Sequence, residues 1–178
     1  MEYNILRDHR RKRMVIVVTP TGEIIVKAGK FTSDNKIDEF VKKNTEWIEK
    51  QKKYLETLYH HRITVTSEER EIAKKQLLPV MRDLVEQYSV KMDVVPKSVK
   101  ITVAEKRWGS CGADSSVCFS YRCAYLSQKC REYIVVHELS HIKEHNHSKN
   151  FYAVLEQYMP DYKTAEKELE GYYIHLKK

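Results

Sequence analysis

The chain has 178 residues, of which 42% are hydrophobic and 32% are charged, and its formal net charge is +7. This composition is globular rather than disordered, and the length suits one domain or one domain with a small module. It excludes a membrane-spanning helix, because no apolar stretch approaches the roughly 20 residues that a bilayer requires. Residues 1–13 are polar and basic, without the apolar run of a secretory signal, so we expect a cytoplasmic protein.

A basic cluster and a hairpin open the chain. Residues 7–13 include four arginines and one lysine. The runs Met14–Val18 and Glu23–Lys27, both rich in β-branched residues, flank a turn with Pro20 and Gly22, which predicts a β-hairpin. The basic cluster is typical of a solvated strand edge that discourages aggregation, and phosphate binding is the alternative.

A helix follows the hairpin. From Ile37 the apolar residues recur at helical spacing, which predicts one helix to about Tyr59, with Trp47 in the core or in an interface. We expect residues 1–60 to form a module of hairpin plus helix, and residues 61–178 to form a separate core.

The middle of the chain predicts a second helix and two strands. Acidic residues follow Ser67, and apolar residues then recur at helical spacing to Tyr88, although Pro79 predicts a kink or a break. Alternating polar and apolar residues predict strands at Ser98–Val103 and Ser116–Tyr125, paired with each other. The segment between these strands contains two glycines and predicts a loop.

The next helix carries the motif H-E-x-x-H, with Ser127 as its predicted N-cap. Residues i and i+4 lie on one face of a helix, so His137 and His141 can bind the same metal ion. Glu138 can reach a water on that metal without binding the metal itself. This pattern is typical of zinc peptidases, in which the glutamate is the general base. By itself the short motif also fits a helix that carries two histidines by chance.

A catalytic zinc site needs a third protein ligand and an open position for water. In the longer pattern H-E-x-x-H-x-x-G-x-x-H, five residues separate the last two histidines, and His147 has that spacing. Glu144 replaces the glycine, and we expect Asn146 to make the turn in a left-handed conformation. His145, or an acidic residue such as Glu156, is the alternative third ligand.

Four cysteines precede the histidine pair: Cys111, Cys118, Cys123 and Cys130. They form no C-x-x-C pair, so we expect neither a zinc ribbon nor, in a cytoplasmic protein, disulfides. Small buried residues are the expected interpretation. For Cys111 the alternative is a thiolate that occupies the open position of the zinc and keeps the enzyme latent.

Three motifs, in this order, resemble those of the YgjP-like metallopeptidase family. Arg107–Cys111 reads RWGSC, His137–His141 reads HELSH, and Asn146–Phe151 reads NHSxxF. The metal motif is also similar to that of SprT-like and WLM-type proteases, and the resemblance covers most of the chain. The chain departs from the family pattern at three places outside the proposed ligands, Ser120, Lys129–Cys130 and Tyr152.

The resemblance implies an α+β fold: an N-terminal hairpin and helix, then a minigluzincin-like zinc metallopeptidase core in residues 61–178. In that core a small antiparallel sheet packs on the H-E-x-x-H helix. It also implies one zinc ion per chain on His137, His141 and His147, with Glu138 as the base.

We therefore expect a zinc metallopeptidase that hydrolyses peptides or proteins with a zinc-bound water activated by Glu138. The residues expected in the substrate cleft are Arg107, Trp108 and Tyr152. The candidates to stabilise the negative oxygen formed during hydrolysis are Arg107, His145, Tyr121 and Tyr152.

Two other functions stay open. The net positive charge and the cluster at residues 10–13 suit a DNA-associated protein or a DNA-dependent protease. A peptide-binding pseudo-enzyme is the second alternative. Glu138 argues against a purely structural metal site, which has no use for a carboxylate beside its ligands.

Overall fold

A computed structural model describes residues 1–176 of the chain. Contacts between residues divide the chain into two compact units, Met1–Arg62 and Ile63–Lys178. Each unit has its own hydrophobic core. The functional division between residues 60 and 61 stays a prediction. Within residues 1–176 no helix is both long and apolar enough to cross a membrane.

The first unit consists of a three-stranded sheet and two helices. Its elements are β1 (Asn4–Asp8), β2 (Val15–Val18), β3 (Ile24–Gly29), α1 (Asp34–Lys43) and α2 (Thr45–Leu58). The predicted hairpin is confirmed, because β2 and β3 pair antiparallel with Val15 opposite Lys27. The strand β1 was not predicted. It pairs in parallel with β3, and all its residues are exposed, so its sequence has no alternation that would mark a strand.

The core of the first unit lies between β3 and the helices. Every second residue of β3 is buried, as expected for a strand with one covered face. The buried apolar residues of this unit are Ile24, Val26, Ala28, Ile37, Val41 and Ile48.

The prediction of one helix from Ile37 to Tyr59 is wrong, because the helix is interrupted at Asn44. The Asn44 side-chain amide donates a hydrogen bond to the Phe40 carbonyl at 2.7 Å. An asparagine that takes a backbone acceptor in this way competes with the helix and ends it. Of the two positions predicted for Trp47, the core is wrong, since 44% of that residue is exposed, and the interface stays a prediction.

The remaining elements belong to the second unit, except that the first two residues of β4 fall in the first unit. They are β4 (His61–Val65), α3 (Ser67–Met92), β5 (Ser98–Thr102), β6 (Gly109–Cys111), β7 (Ser116–Ser120), a 3₁₀ helix (Tyr121–Tyr125), α4 (Gln128–Lys143), α5 (Lys149–Tyr158), α6 (Tyr162–Glu170) and β8 (Tyr172–Leu176). The strands β4 and β8 form a two-stranded sheet, and the other three strands form a second sheet in the order β5-β7-β6.

The long helix α3 begins with a capping box. Thr66 accepts a hydrogen bond from the Glu69 backbone N–H at 3.2 Å, and Glu69 accepts one from the Thr66 N–H at 2.8 Å. Of the kink or break predicted at Pro79, the break is wrong, because α3 continues through the proline, and the kink stays a prediction. An interior proline costs a helix about 3 kcal/mol. Burial of Leu77 and Met81 on either side opposes that cost.

The α+β fold class is confirmed, with the small sheet against the helix that carries the histidines. The prediction that this sheet is antiparallel is wrong. The sheet is mixed, because β5 runs parallel to β7 whereas β6 runs antiparallel to it. The predicted loop between the strands contains β6. The predicted strand Ser116–Tyr125 ends at Ser120, whose hydroxyl accepts a hydrogen bond from the Arg122 N–H at 3.3 Å and starts the 3₁₀ helix.

The helix α4 lies in the centre of the second unit and contacts α3, α5, α6 and β6. Ser127 caps it as predicted, accepting a hydrogen bond from the Cys130 N–H at 3.2 Å. Val135, Val136 and Leu139 have no exposed surface. A helix packed on all sides holds its side chains in fixed positions, which is what a metal site requires.

Candidate active site

The helix α4 places His137 and His141 on one face, as the motif predicted. Their ring centroids are 5.1 Å apart. The Nδ1 atom of His141 lies 3.2 Å from the Glu144 carbonyl oxygen. A hydrogen bond from Nδ1–H to that carbonyl leaves the lone pair on Nε2, and such bonds fix the tautomer of metal-binding histidines.

The structure brings His147 to the same place. Its Nε2 atom lies 3.0 Å from Nε2 of His137. The ligand atoms of the three histidines all lie within 4.8 Å of one another. Among the described residues, the cluster includes neither His145 nor Glu156, the two alternative ligands.

The chain reaches His147 by another route than predicted. Asn146 does not adopt a left-handed conformation, since Asp93 and Ser115 are the non-glycine residues with positive φ in the described chain. Instead α4 ends at an extended Glu144, with φ −136° and ψ 101°. Ser148 then caps α5 and accepts a hydrogen bond from the Phe151 N–H at 3.3 Å.

The three histidines fit a divalent metal such as zinc. Two nitrogens bound to a tetrahedral zinc at about 2.0–2.1 Å lie about 3.3 Å apart, close to the distance between His137 and His147. Metal binding requires neutral imidazoles. Burial, together with His141 and His147, lowers the pKa of His137 to about 4. Burial likewise lowers the pKa of His141.

Phe151 lies against all three histidines, a role that sequence reasoning missed. Its ring centroid is 4.9 Å from that of His137, 4.6 Å from that of His141 and 4.7 Å from that of His147. The phenylalanine is fully buried. It belongs to the NHSxxF motif, which was its signal in the sequence. In the fold it limits the positions of the three rings.

Glu138 lies beside the histidines and is only 6% exposed. Its carboxyl group packs on Gly109 of β6. A Cβ atom at that glycine would lie 2.5 Å from the nearest carboxylate oxygen, so no other residue fits there without displacement. Burial raises the pKa of Glu138 to about 7, opposed by the charge of Arg107 and by a hydrogen bond from the Cys111 backbone N–H. A carboxyl group with a pKa near neutrality suits proton transfer.

Arg122 supports the loop before β6 and was missed entirely from the sequence. It is 8% exposed, and its guanidinium carbon lies 4.2 Å from the centroid of the Trp108 ring. Its Nη2 donates a hydrogen bond to the Arg107 carbonyl at 3.3 Å. Burial lowers the pKa of Arg122. Arginine is rarely buried, so its sequence position carried no signal for this role.

The predicted cleft residues lie on two sides of the centre. Arg107 and Trp108 line a cleft with His137 and Glu138. Tyr152 is 40% exposed and lies next to His147, with the ring centroids 6.4 Å apart.

The structure also bears on the roles considered for Tyr121 and Cys111. Tyr121 is wrong as a candidate to stabilise the reaction's negative oxygen, because it is fully buried and cannot meet a substrate. Cys111 is half-buried, and the histidine cluster of the described chain does not include its thiol. Burial and the nearby Glu138 raise the pKa of that thiol. All four cysteines are free, as expected.

Two histidines one turn apart on a buried helix, a third from the next segment and a buried glutamate are the arrangement of metallopeptidases. A family model described as "YgjP-like, metallopeptidase domain" matches residues 64–172. The chain belongs to this family. It is therefore a peptidase that acts on peptides or proteins, and the family implies a metal ion, typically zinc.

Two solved structures are similar to part of the chain. One is the metallopeptidase zymogen abylysin of Pyrococcus abyssi, 21% identical, with a TM-score of 0.47; the match covers 50% of this chain and 90% of that one. The other is the metallopeptidase zymogen jannalysin of Methanocaldococcus jannaschii, 21% identical, with a TM-score of 0.44; that match covers 51% and 91%. Likenesses at this level carry no further conclusion. No curated protein matches the chain.

Proposed function

We propose that the chain hydrolyses peptide bonds with one zinc ion held by His137, His141 and His147, and with Glu138 as the group that moves the proton. The observation that carries this proposal is the buried Glu138 next to the three clustered histidines. A structural metal site is closed by protein ligands and needs no buried carboxylate beside them.

Zinc, when bound, would polarise the scissile carbonyl and lower the pKa of a ligated water towards about 7. Glu138 accepts the proton of the attacking water on a carboxylate oxygen and returns it to the leaving amine. Gly109 leaves free the space that the carboxyl group of Glu138 occupies. Arg107 and Tyr152 flank the centre as candidates to stabilise the negative oxygen that forms.

The strand β6 offers a way to hold the substrate. It is an edge strand that pairs with β7 and packs beside α4. An extended peptide adds to a free strand edge through backbone hydrogen bonds. Such pairing would lay the peptide along β6, next to Glu138, without demanding a particular sequence.

Metal content measured by plasma mass spectrometry, together with peptide hydrolysis, tests the proposal. We expect about one zinc per chain in the wild type and in Glu138→Gln, and none in His141→Ala. Glu138→Gln should lower kcat by about 10²–10⁴-fold, the usual contribution of general acid–base catalysis. The matched control is His60→Ala, which removes an exposed histidine outside the cluster and should keep both zinc and activity.

Two outcomes would contradict the proposal. A zinc content of about one per chain in His141→Ala would show that the histidine cluster is not the metal site. A zinc-loaded wild type that binds peptides without cleaving them would instead establish the pseudo-enzyme.

Binding of nucleic acid is a second candidate function, supported by the charge of the first unit. Met1–Arg62 carries 14 lysines and arginines against nine aspartates and glutamates, which accounts for +5 of the net charge of +7. Phe31 is 92% exposed, with the Lys30 ammonium 5.7 Å from its ring centroid. Exposed aromatic rings among cations suit single-stranded nucleic acid.

Salt-titrated DNA binding tests this second function. Replacing the four cations of residues 10–13 by glutamine should weaken binding and flatten its salt dependence. The matched control replaces four helix lysines of the same unit, Lys42, Lys43, Lys50 and Lys53. Equal losses in both variants would show non-specific attraction, and stimulation of peptide hydrolysis by DNA would establish a DNA-dependent protease.

A further inference from the structure

An apolar pocket of about 270 Å³ opens beside the candidate catalytic centre. Its lining residues are Arg107, Trp108, Gly109, Tyr133, Ile134, His137, Glu138 and Leu169. Pockets for whole drug-sized ligands have volumes of about 300–1,000 Å³. An apolar cavity of about 150 Å³ already holds benzene. The size of this pocket therefore suits one apolar side chain rather than a whole small-molecule ligand.

Two aromatic walls of the pocket are held in place by polar groups behind them. The Trp108 ring rests on the buried Arg122, 4.2 Å from its guanidinium carbon. The Tyr133 hydroxyl donates a hydrogen bond to Glu166 of α6 at 3.2 Å. These contacts anchor the rings, so the pocket exists before a substrate arrives.

The lining of the pocket combines polar and aliphatic residues. Arg107, His137 and Glu138 supply its polar groups, whereas the buried residues Ile134 and Leu169 supply an aliphatic wall. A charged side chain that entered would leave water without finding a partner on the aliphatic wall. The distribution favours an apolar guest whose backbone stays near Glu138.

We infer that this pocket is the specificity subsite of the peptidase and selects an apolar residue that flanks the scissile bond. The inference rests on the proposed function, because it takes His137 and Glu138 as the reacting centre. Burial of a leucine or phenylalanine side chain strengthens binding by about ten- to hundred-fold. Cleavage should therefore be enriched at peptides with such residues at one position, and disfavoured for aspartate or lysine there.

Leu169 sets the size of the accepted side chain. It comes from α6, whereas Tyr133 and Ile134 come from α4. Leu169→Ala should extend the pocket and shift the preference towards tryptophan and phenylalanine. Leu169→Phe should narrow it and shift the preference towards alanine and valine. The matched control is Lys167→Ala, an exposed position of the same helix that does not line the pocket.

The first experiment digests a peptide library with the zinc-loaded wild type and the three variants, and reads the residues on both sides of each cut. We expect about ten-fold enrichment of leucine or phenylalanine at one flanking position, with opposite shifts in the two Leu169 variants. Cleavage without an apolar preference, or the same preference in every variant, would overturn the inference. If Leu169→Ala does not fold, Ile134→Val enlarges the same wall by one methyl group.

The second experiment does not depend on turnover. Trp47 and Trp108 are the two tryptophans of the chain, so Trp47→Phe leaves Trp108 as a fluorescent reporter in the pocket wall. N-acetyl-leucinamide should change its emission at a concentration about ten-fold lower than N-acetyl-aspartamide. Selective binding without any hydrolysis in the first experiment would keep the pocket and reject the proposed peptidase chemistry. Equal responses to both amides would overturn the pocket.

Discussion

The three histidines of the proposed metal centre are held in two different ways. His137 and His141 stand on α4, whose neighbouring residues are fully buried. His147 lies in an exposed segment between α4 and α5. The helix ligands take their positions from a packed core, whereas the third ligand depends on the Ser148 cap and on the ring of Phe151. The difference teaches that a rigid helix can supply two ligands while a short segment completes the centre.

Removal of the shared ring should give the largest effect. Phe151→Ala takes away a buried side chain that contacts all three histidines. We expect a loss of about 3–5 kcal/mol in the free energy of unfolding, the usual cost of such a truncation. Zinc affinity of the folded protein should fall as well, because His147 loses its support. Urea unfolding and titration against a zinc chelator measure the two effects.

The matched control for that change is Leu155→Ala. Leu155 is equally buried on α5, but its aliphatic side chain has no ring to stack on the histidines. It should cost about 2–5 kcal/mol of stability and leave zinc affinity unchanged. If both variants weaken zinc binding equally, a general loss of packing explains the effect. The claim that His147 depends on the ring of Phe151 would then be contradicted.

A smaller effect is expected where β6 contacts Glu138 of α4. Gly109→Ala would place a methyl group against the carboxyl group of Glu138. We expect kcat to fall by about 10²-fold, since displacement of a general base removes most of its contribution, while the zinc content stays the same. Ser110→Ala, on the same strand, is the control and should keep its activity. Full activity in Gly109→Ala would show that Glu138 does not need its present position.

The N-caps of α5 and α4, Ser148 and Ser127, can be compared directly, because their removal should destabilise the protein by similar amounts. Ser148→Ala and Ser127→Ala each remove one hydroxyl that accepts a backbone N–H at the start of a helix. Each should cost about 1 kcal/mol of stability. Only Ser148→Ala should weaken zinc binding, because that cap adjoins His147. Isothermal titration with zinc distinguishes them, and identical zinc affinities would contradict the dependence of His147 on its cap.

The smallest effect is expected at Asp114, an exposed residue in the turn between β6 and β7. Hydrogen bonds from Lys97 and Ser116 hold the pKa of Asp114 at about 2, below its ordinary value of 3.8. A lowered carboxyl pKa contributes stability above pH 3.8 and loses it as the pH falls towards 2. Asp114→Asn should therefore lower the thermal midpoint slightly at pH 7, by less as the pH falls, with zinc affinity unchanged. A difference that persists at pH 2 would contradict this account.

Local patterns of the sequence predicted much of the site. The spacing of His137 and His141 follows from helix geometry, and the spacing to His147 matched a known extended motif. The hairpin and the cap at Ser127 were also predicted. Predictions failed where two local signals disagreed. At Asn44 the apolar spacing predicted that the helix continues, but the side-chain hydrogen bond of the asparagine ends it.

The sequence by itself determined which residues are the proposed metal ligands and the proposed base, because residues a few positions apart on a helix have a geometry set by the backbone. Only the tertiary structure decided what surrounds them. The contact of Gly109 with Glu138, the support of Trp108 by Arg122 and the pocket wall at Leu169 join residues distant along the chain. Such contacts arise when whole elements pack against each other. Apolar periodicity shows which face of an element is buried, but it does not show which residue of another element that face will contact.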